Sequence, residues 1–461
     1  LISGCIDTQK VHISSAIASG YKYMLIVTSD EAKARKMCDD ASFFNKEAIY
    51  YPAKDAIFYS ADVHGNQITG ERLRCISRII NHSSTGEGVL TVVTTMDGIA
   101  DRLIPVERFK EAVITLDYSS EIEPEKLAKK LVAMGFVRTG MVEDKGQFAI
   151  RGGIIDIFSY TDEAPVRIEL WDTEVDSIRM FDVESQRSIE RLQSYSIFPA
   201  TEYIFTEDEL KNGLYNIKEE CDRQLECFDY GKRKRTKEQI EAGNNLNKLV
   251  ADVERTGNYE KFTDTLVADT VGLAEYFPEE NTLVVLDEPN RLKECNELTL
   301  YEYNESMKNR LAAGYVLPSQ TNKVKAMNEI ISDLRNNKKL ILTTLDYKPE
   351  GFEIDYSMYI TARSISSYNN SFEYLAKDLE KYKKNGYTTI LVCSSRTRAL
   401  RIVDDLGKLG IASFYSEDFN KDYGSGLIIV TYGSLHKGFE YPVLSFVVIA
   451  ENDIFLSLIH I

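Results

Sequence analysis

The sequence is poor in the residues that mark metal sites, membrane spans and nucleic-acid grooves. Its seven cysteines form no CxxC pair, and the two nearest in sequence, Cys221 and Cys227, have no ligand-like neighbours. Its five histidines, His12, His64, His82, His436 and His460, are scattered. A zinc site is therefore not expected, and free thiols suit a reducing, cytoplasmic setting. No apolar run approaches the roughly 20 residues that span a bilayer. The opening LISGCIDTQK lacks a basic segment followed by an apolar one, so no signal peptide is read. Positive charge is also scarce, with 55 Lys and Arg against 72 Asp and Glu and a net charge of −17. Such a field opposes nucleic acid and leaves binding to local basic patches. The one dense basic run, GKRKRTK at 231–237, reads as a solvated helix end or loop. The composition favours protein partners.

A complete phosphate loop is missing too. That motif, G-x-x-x-x-G-K followed by Ser or Thr, lets backbone N–H groups approach phosphate, while Lys reaches the terminal phosphates and the hydroxyl holds Mg²⁺. Placing Lys10 on the motif lysine makes Gly4 the first glycine. Gln9 then stands where the second glycine is needed, and Val11 where the hydroxyl is needed. Val11 cannot hold a metal, and Gln9 resists the backbone geometry that glycine permits. Asp7 brings negative charge to the phosphate position. Asp287 and Glu288, after the apolar run TLVVL, resemble the acidic pair that holds Mg²⁺ and orients water in such ATPases. They also fit a plain strand-end turn reinforced by Pro289. The degenerate nucleotide site of Gly4, Gln9, Lys10, Val11, Asp287 and Glu288 predicts neither catalysis nor a bound cofactor.

What is present is an alternation of strand and helix signals. YKYMLIVTS and GVLTVVTT read as strands, and DEAKARKMCDDASFF as a helix with Asp30 at its N-cap. This predicts a parallel α/β lobe over residues 1–115. Close-spaced strands with Gly and Asp turns, preceded by the helix PEKLAKKLVAMG, predict an α+β insert over 116–201. Helical patterns and the strands TLVVLDE and KLILTTLD return the chain to the first lobe over 202–355. A further α/β unit spans 356–450, and 451–461 forms a tail. No internal repeat or low-complexity linker is found.

The insert holds the only tryptophan. In VRIELW, strand alternation puts Val166, Ile168 and Leu170 on one face and Arg167, Glu169 and Trp171 on the other. In FAIRGG, Phe148 and Ile150 share a face, and Arg151 lies with Ala149 on the opposite one. Trp and Arg are enriched at the energetic centres of protein interfaces. The plainer alternative makes Trp171 a cap on the core and the arginines ordinary surface charges. Both readings stand on pattern alone.

In order along the chain, RGGIIDIF, PVRIEL, VDSIRMFD and SQRSIE resemble the small second domain shared by the excision-nuclease subunit UvrB and the bacterial transcription-repair coupling factors. YPAKDAIFYSADVHGNQITGERLRCISRI, LVVLDEPNRL and GFEYPVLSFVVIAENDIF extend the resemblance to the coupling factors along the chain. The fold it implies is a degenerate P-loop-like lobe split by the insert, then a further α/β domain. The resemblance implies a UvrB-mimicking adaptor that recruits UvrA, and places the UvrA-contacting positions on Arg151, Arg167 and Trp171. Relatives often carry Phe at the aromatic position. ATP, Mg²⁺, DNA translocation and displacement of stalled RNA polymerase are then expected of motor domains beyond residue 461, and this part is expected to be a monomer. The absence of an initiator Met agrees with a part of a longer protein, and the terminal LSLIHI departs from the family and is given no function. Two alternatives remain: a working nucleotide-dependent damage-verifying enzyme such as UvrB itself, and an autoinhibitory module that clamps the motor. Against the first, the aromatics Tyr50, Tyr51, Phe58 and Tyr59 lie in a short acidic-polar stretch, unlike a DNA-clamping hairpin.

Overall fold

Runs of aliphatic and β-branched residues build the first sheet. Tyr23–Thr28, Leu90–Thr95 and Thr282–Asp287 are buried at every position, as strands are when helices cover both faces of a parallel sheet. The computed structural model describes residues 1–55, 62–229, 235–267, 269–418 and 424–455. Phe58 and Tyr59, most of the basic run and the terminal LSLIHI lie outside the described residues.

The seven strands run in the order Met358–Tyr359, Ile2–Ser3, Lys338–Thr343, Thr282–Asp287, Tyr23–Thr28, Leu90–Thr95 and Glu47–Tyr51. Every neighbouring pair is parallel. Segments from both ends of the first 360 residues therefore share one sheet. The edge strand Met358–Tyr359 lies beyond residue 355, where the sequence pattern started the next unit. The chain lays one more strand against Ile2–Ser3 before leaving. Helices Asp7–Ala18 and Glu31–Asn45 pack in this lobe. Asp30 caps the second by accepting from the backbone N–H of Lys33 at 2.9 Å. A 24-residue helix, Pro289–Ala312, follows the strand Thr282–Asp287; its weak apolar periodicity hid it from the sequence pattern.

The insert is a six-stranded sheet ordered Ser188–Arg191, Glu174–Phe181, Val166–Trp171, Ile154–Phe158, Gln147–Arg151 and Val137–Arg138. Its pairs are antiparallel except the last. Leu127 and Leu131 of helix Pro124–Ala133 join Phe148, Ile155, Ile157, Val166 and Ile168 in one core. The other face carries a second, small cluster of Val142, Ala149 and Phe158, and is open towards the end that holds Trp171.

Arg72 anchors the exit of the insert to the first lobe. Only 1% exposed, it grips Glu202 through Nε at 2.8 Å and Nη2 at 3.0 Å, and Asp101 through Nη1 at 2.7 Å. Its guanidinium also lies 4.4 Å from the centre of the Tyr51 ring. Breaking one partner of such a buried pair strands a charge away from water. The third unit is a sheet of Arg363–Ser364, Phe439–Tyr441, Phe446–Ala450, Thr388–Cys393, Ile428–Tyr432 and Phe414–Tyr415. Helices Phe372–Lys384 and Arg396–Lys408 pack on it. The chain is thus mixed α/β, with an α+β insert inside the first lobe. Among the described residues no helix is long and apolar enough to cross a membrane.

Candidate functional site

Two places match the residues singled out by sequence: the start of the first helix, and the open face of the insert. At the first, strand Ile2–Ser3 and helix Asp7–Ala18 leave only residues 4–6 as a connection. The sequence alignment put Lys10 at the end of a phosphate-wrapping loop. The structure corrects this, because the helix has already begun three residues earlier. Gln9 explains the early start: its Oε1 accepts from the backbone N–H of Ile6 at 3.0 Å, which satisfies a donor that helix ends leave orphaned. Its Nε2 donates to the Tyr441 hydroxyl at 3.0 Å, so the third unit closes over the same residue. Gly4 has φ +81, and a Cβ there would lie 2.1 Å from the Ile360 carbonyl oxygen. The loop is thus pressed from outside. Val11 is fully buried in the core between helices and sheet.

Lys10 has its partners within the protein. Its Nζ is 2.7 Å from Asp287 Oδ1 and 2.6 Å from Glu288 Oε1. Lys33 also pairs with Asp287, and Thr28 Oγ1 donates to it at 2.8 Å. Glu288 stands with φ 56, between the strand and the helix Pro289–Ala312. It accepts from the Thr344 backbone N–H and hydroxyl, both at 2.7 Å. Burial opposes charge on Lys10, but the two carboxylates outweigh it and hold the ammonium above its ordinary range. Burial likewise works against charged Asp287, and Lys10 and Lys33 overcome it to hold the carboxyl below its ordinary range. Of the six residues named from sequence, Lys10, Asp287 and Glu288 come together, with Lys33, as a closed ion cluster, while Gly4, Gln9 and Val11 face other partners. Asp7, read as a charge facing phosphate, pairs with Lys437 of the third unit at 3.3 Å.

On the insert, alternation places the side chains as read: Val166 and Ile168 are in the core, and Trp171 is 79% exposed. Trp171 is not a cap on the core. Arg151 and Trp171 each end a strand at a two-residue hairpin turn. The register, with Ile154 opposite both Arg151 and Glu169, sets the two turns at the same end of the sheet. Gly152 has φ +63, and a Cβ on Gly153 would lie 2.9 Å from the Leu170 carbonyl oxygen, so the turn beside Trp171 needs both glycines. Arg167 departs from expectation in its exposure. Its side chain is only 12% exposed, against 43% for Arg151.

The cause is a residue the sequence reading passed over. Asp156, 1% exposed, accepts from Arg151 Nη2 at 2.6 Å, from Arg167 Nε at 2.6 Å and from Arg167 Nη2 at 2.9 Å. Gln186 Oε1 accepts from Arg167 Nη2 at 2.8 Å, and the Arg167 guanidinium lies 4.3 Å from the centre of the Phe181 ring. Asp156 raises the pKa of Arg167 despite partial burial. The available signal was a carboxylate inside the otherwise apolar run IIDIF. Beside this group Glu169 pairs with Arg179. The exposed end of the face thus carries a large aromatic and the half-exposed guanidinium of Arg151, with Glu174 across from Trp171 on the next strand. This pairing of apolar surface and a fork-shaped donor suits a protein partner.

Residues 114–203 match the UvrB interaction domain family. Along 99% of its length the chain is similar to transcription-repair-coupling factors. It is 29% identical over 468 residues to that of Bacillus subtilis (strain 168). It is 27% identical over 461 residues to that of Staphylococcus haemolyticus (strain JCSC1435), and 28% identical over 458 residues to that of Staphylococcus epidermidis (strain ATCC 12228 / FDA PCI 1200). The chain spans about 38% of the length of these curated relatives. The chain is thus similar to the N-terminal part of the transcription-repair-coupling factors, and its insert matches the UvrB interaction domain family.

Proposed function

We propose that this chain is the adaptor part of a transcription-repair coupling factor and recruits UvrA through the open face of its insert. Trp171 carries the reading: it is 79% exposed, at one end of a face that also holds Arg151 and Arg167, within the segment that matches the UvrB interaction domain. A large exposed tryptophan has a solvation cost that an interface removes. The first lobe serves as a scaffold without nucleotide, since Lys10 is neutralised by Asp287 and Glu288. In the whole protein, ATP-driven translocation on DNA and displacement of RNA polymerase belong to other domains. Titrating the purified chain with UvrA by calorimetry tests the reading. Saturable binding, lost on changing Arg151 and Trp171 together to Ala, is expected. Wild-type affinity in that double variant would remove the face from consideration.

A further inference from the structure

The UvrA contact proposed above would need Arg151 ordered before a partner arrives. Arg151 is the last residue of its strand, half exposed, and its side chain is held by Asp156. The same carboxylate holds Arg167, whose Nη2 also donates to Gln186 and whose guanidinium lies over the Phe181 ring. Resting on that contact, we propose that Asp156 is the positioning residue of the face, fixing Arg151 through a relay that runs from Gln186 to Arg167 to Asp156.

The geometry supports a role beyond local stability. Asp156 stands directly opposite Arg167 and Ala149 in the register, so its buried carboxylate lies on the face opposite the main core of the insert, beneath the two guanidiniums. One carboxylate there meets two guanidiniums, and Glu174, paired across from Trp171, is a further exposed carboxylate at the same end of the sheet. Glu169 is held apart from Arg151, because Arg179 and the Ser177 hydroxyl bind it. A guanidinium already held in place loses little freedom when it binds a partner's carboxylate, and Arg favours two-pronged pairing with such a group. The partner feature implied is one carboxylate beside an apolar recess that receives Trp171. Gln186 stands with φ 57, a conformation that few side chains adopt without cost. Its amide is also tied down, donating to the Val183 carbonyl at 2.8 Å.

The test is a double-mutant cycle on the whole chain, with purified UvrA as the probe. Asp156→Asn keeps the shape and removes the charge, and UvrA affinity should fall about tenfold. In an Arg151→Ala background the same change should cost clearly less, because only Arg167 is left for Asp156 to hold. An unchanged affinity for Asp156→Asn, or an equal loss in both backgrounds, overturns the proposal. Should Asp156→Asn fail to fold, Gln186→Asn decides. Asn tolerates the left-handed backbone, but it is one methylene too short to hold Arg167. Weaker UvrA capture then supports the relay and unchanged capture overturns it. Wild-type affinity in both Arg151→Ala and Trp171→Ala would mean that the UvrA reading itself has failed. Losses there with Asp156→Asn intact would mean that only the relay has.

Discussion

At the scale of single residues, Trp171 and Arg167 are alike in sequence and unlike in place. Both fall on the polar face of one strand by alternation, a pattern fixed by strand geometry and therefore legible. How far each is covered depends on Phe181 and Gln186, which arrive from the next strand and its turn and which no local pattern announces. The expectations for the two truncations differ accordingly. Trp171→Ala should weaken UvrA capture by about 2 kcal/mol or more, a roughly 30-fold loss. Its melting temperature should stay near wild type, since the exposed ring lies outside the core of the insert. Arg167→Ala should weaken capture and also lower the melting temperature, because it leaves the buried Asp156 with Arg151 alone. Calorimetry with UvrA and a thermal melt on each variant check both. A strong destabilisation by Trp171→Ala, or full UvrA binding by Arg167→Ala, would show that the face is wrongly assigned.

At the scale of elements, the first strand, connection and helix of the lobe were legible as a degraded phosphate loop because Gly, Lys and Ser or Thr are required there for stated reasons. The early helix start was not legible, since it follows from the Gln9 side chain satisfying Ile6 and reaching Tyr441, more than 400 positions away in sequence. Nor was the pairing of Lys10 with Asp287 and Glu288, which depends on strand order. These contacts sharpen the expectation about nucleotide. Calorimetry with Mg-ATP should show no saturable binding, and a micromolar dissociation constant would contradict it. Restoring the motif with Gln9→Gly and Val11→Thr should not create a site. Lys10 would remain neutralised, and Ile360 would still press on Gly4.

At the scale of the whole molecule, the net charge of −17 sets one expectation and a single histidine sets another. Duplex DNA should bind only weakly and with strong salt dependence; tight binding that survived high salt would argue for damage verification. The histidine is His12, on the helix Asp7–Ala18, where the first lobe meets the third unit. Its Nδ1 is 3.0 Å from the Tyr441 hydroxyl, and Phe44, Phe439 and Phe446 surround the ring. Burial depresses its pKa from 6.5 to about 4. The unfolded chain therefore binds the proton more readily than the folded one, and stability falls as the pH drops below 6.5 towards 4. A difference of that size corresponds to about 3 kcal/mol. Asp453, also in the third unit, pulls the opposite way. Burial raises its pKa from 3.8 to about 6, so its contribution is present at low pH and lost as the pH rises through 6. The two slopes overlap, and the melting temperature of the wild-type chain alone cannot isolate either. His12→Gln removes one of them while keeping a group that can hydrogen-bond Tyr441. The melting temperature of this variant relative to wild type should rise progressively as the pH is lowered from 6.5 to 4, and should be constant above 7. A difference independent of pH would mean that His12 is not held neutral between the two units.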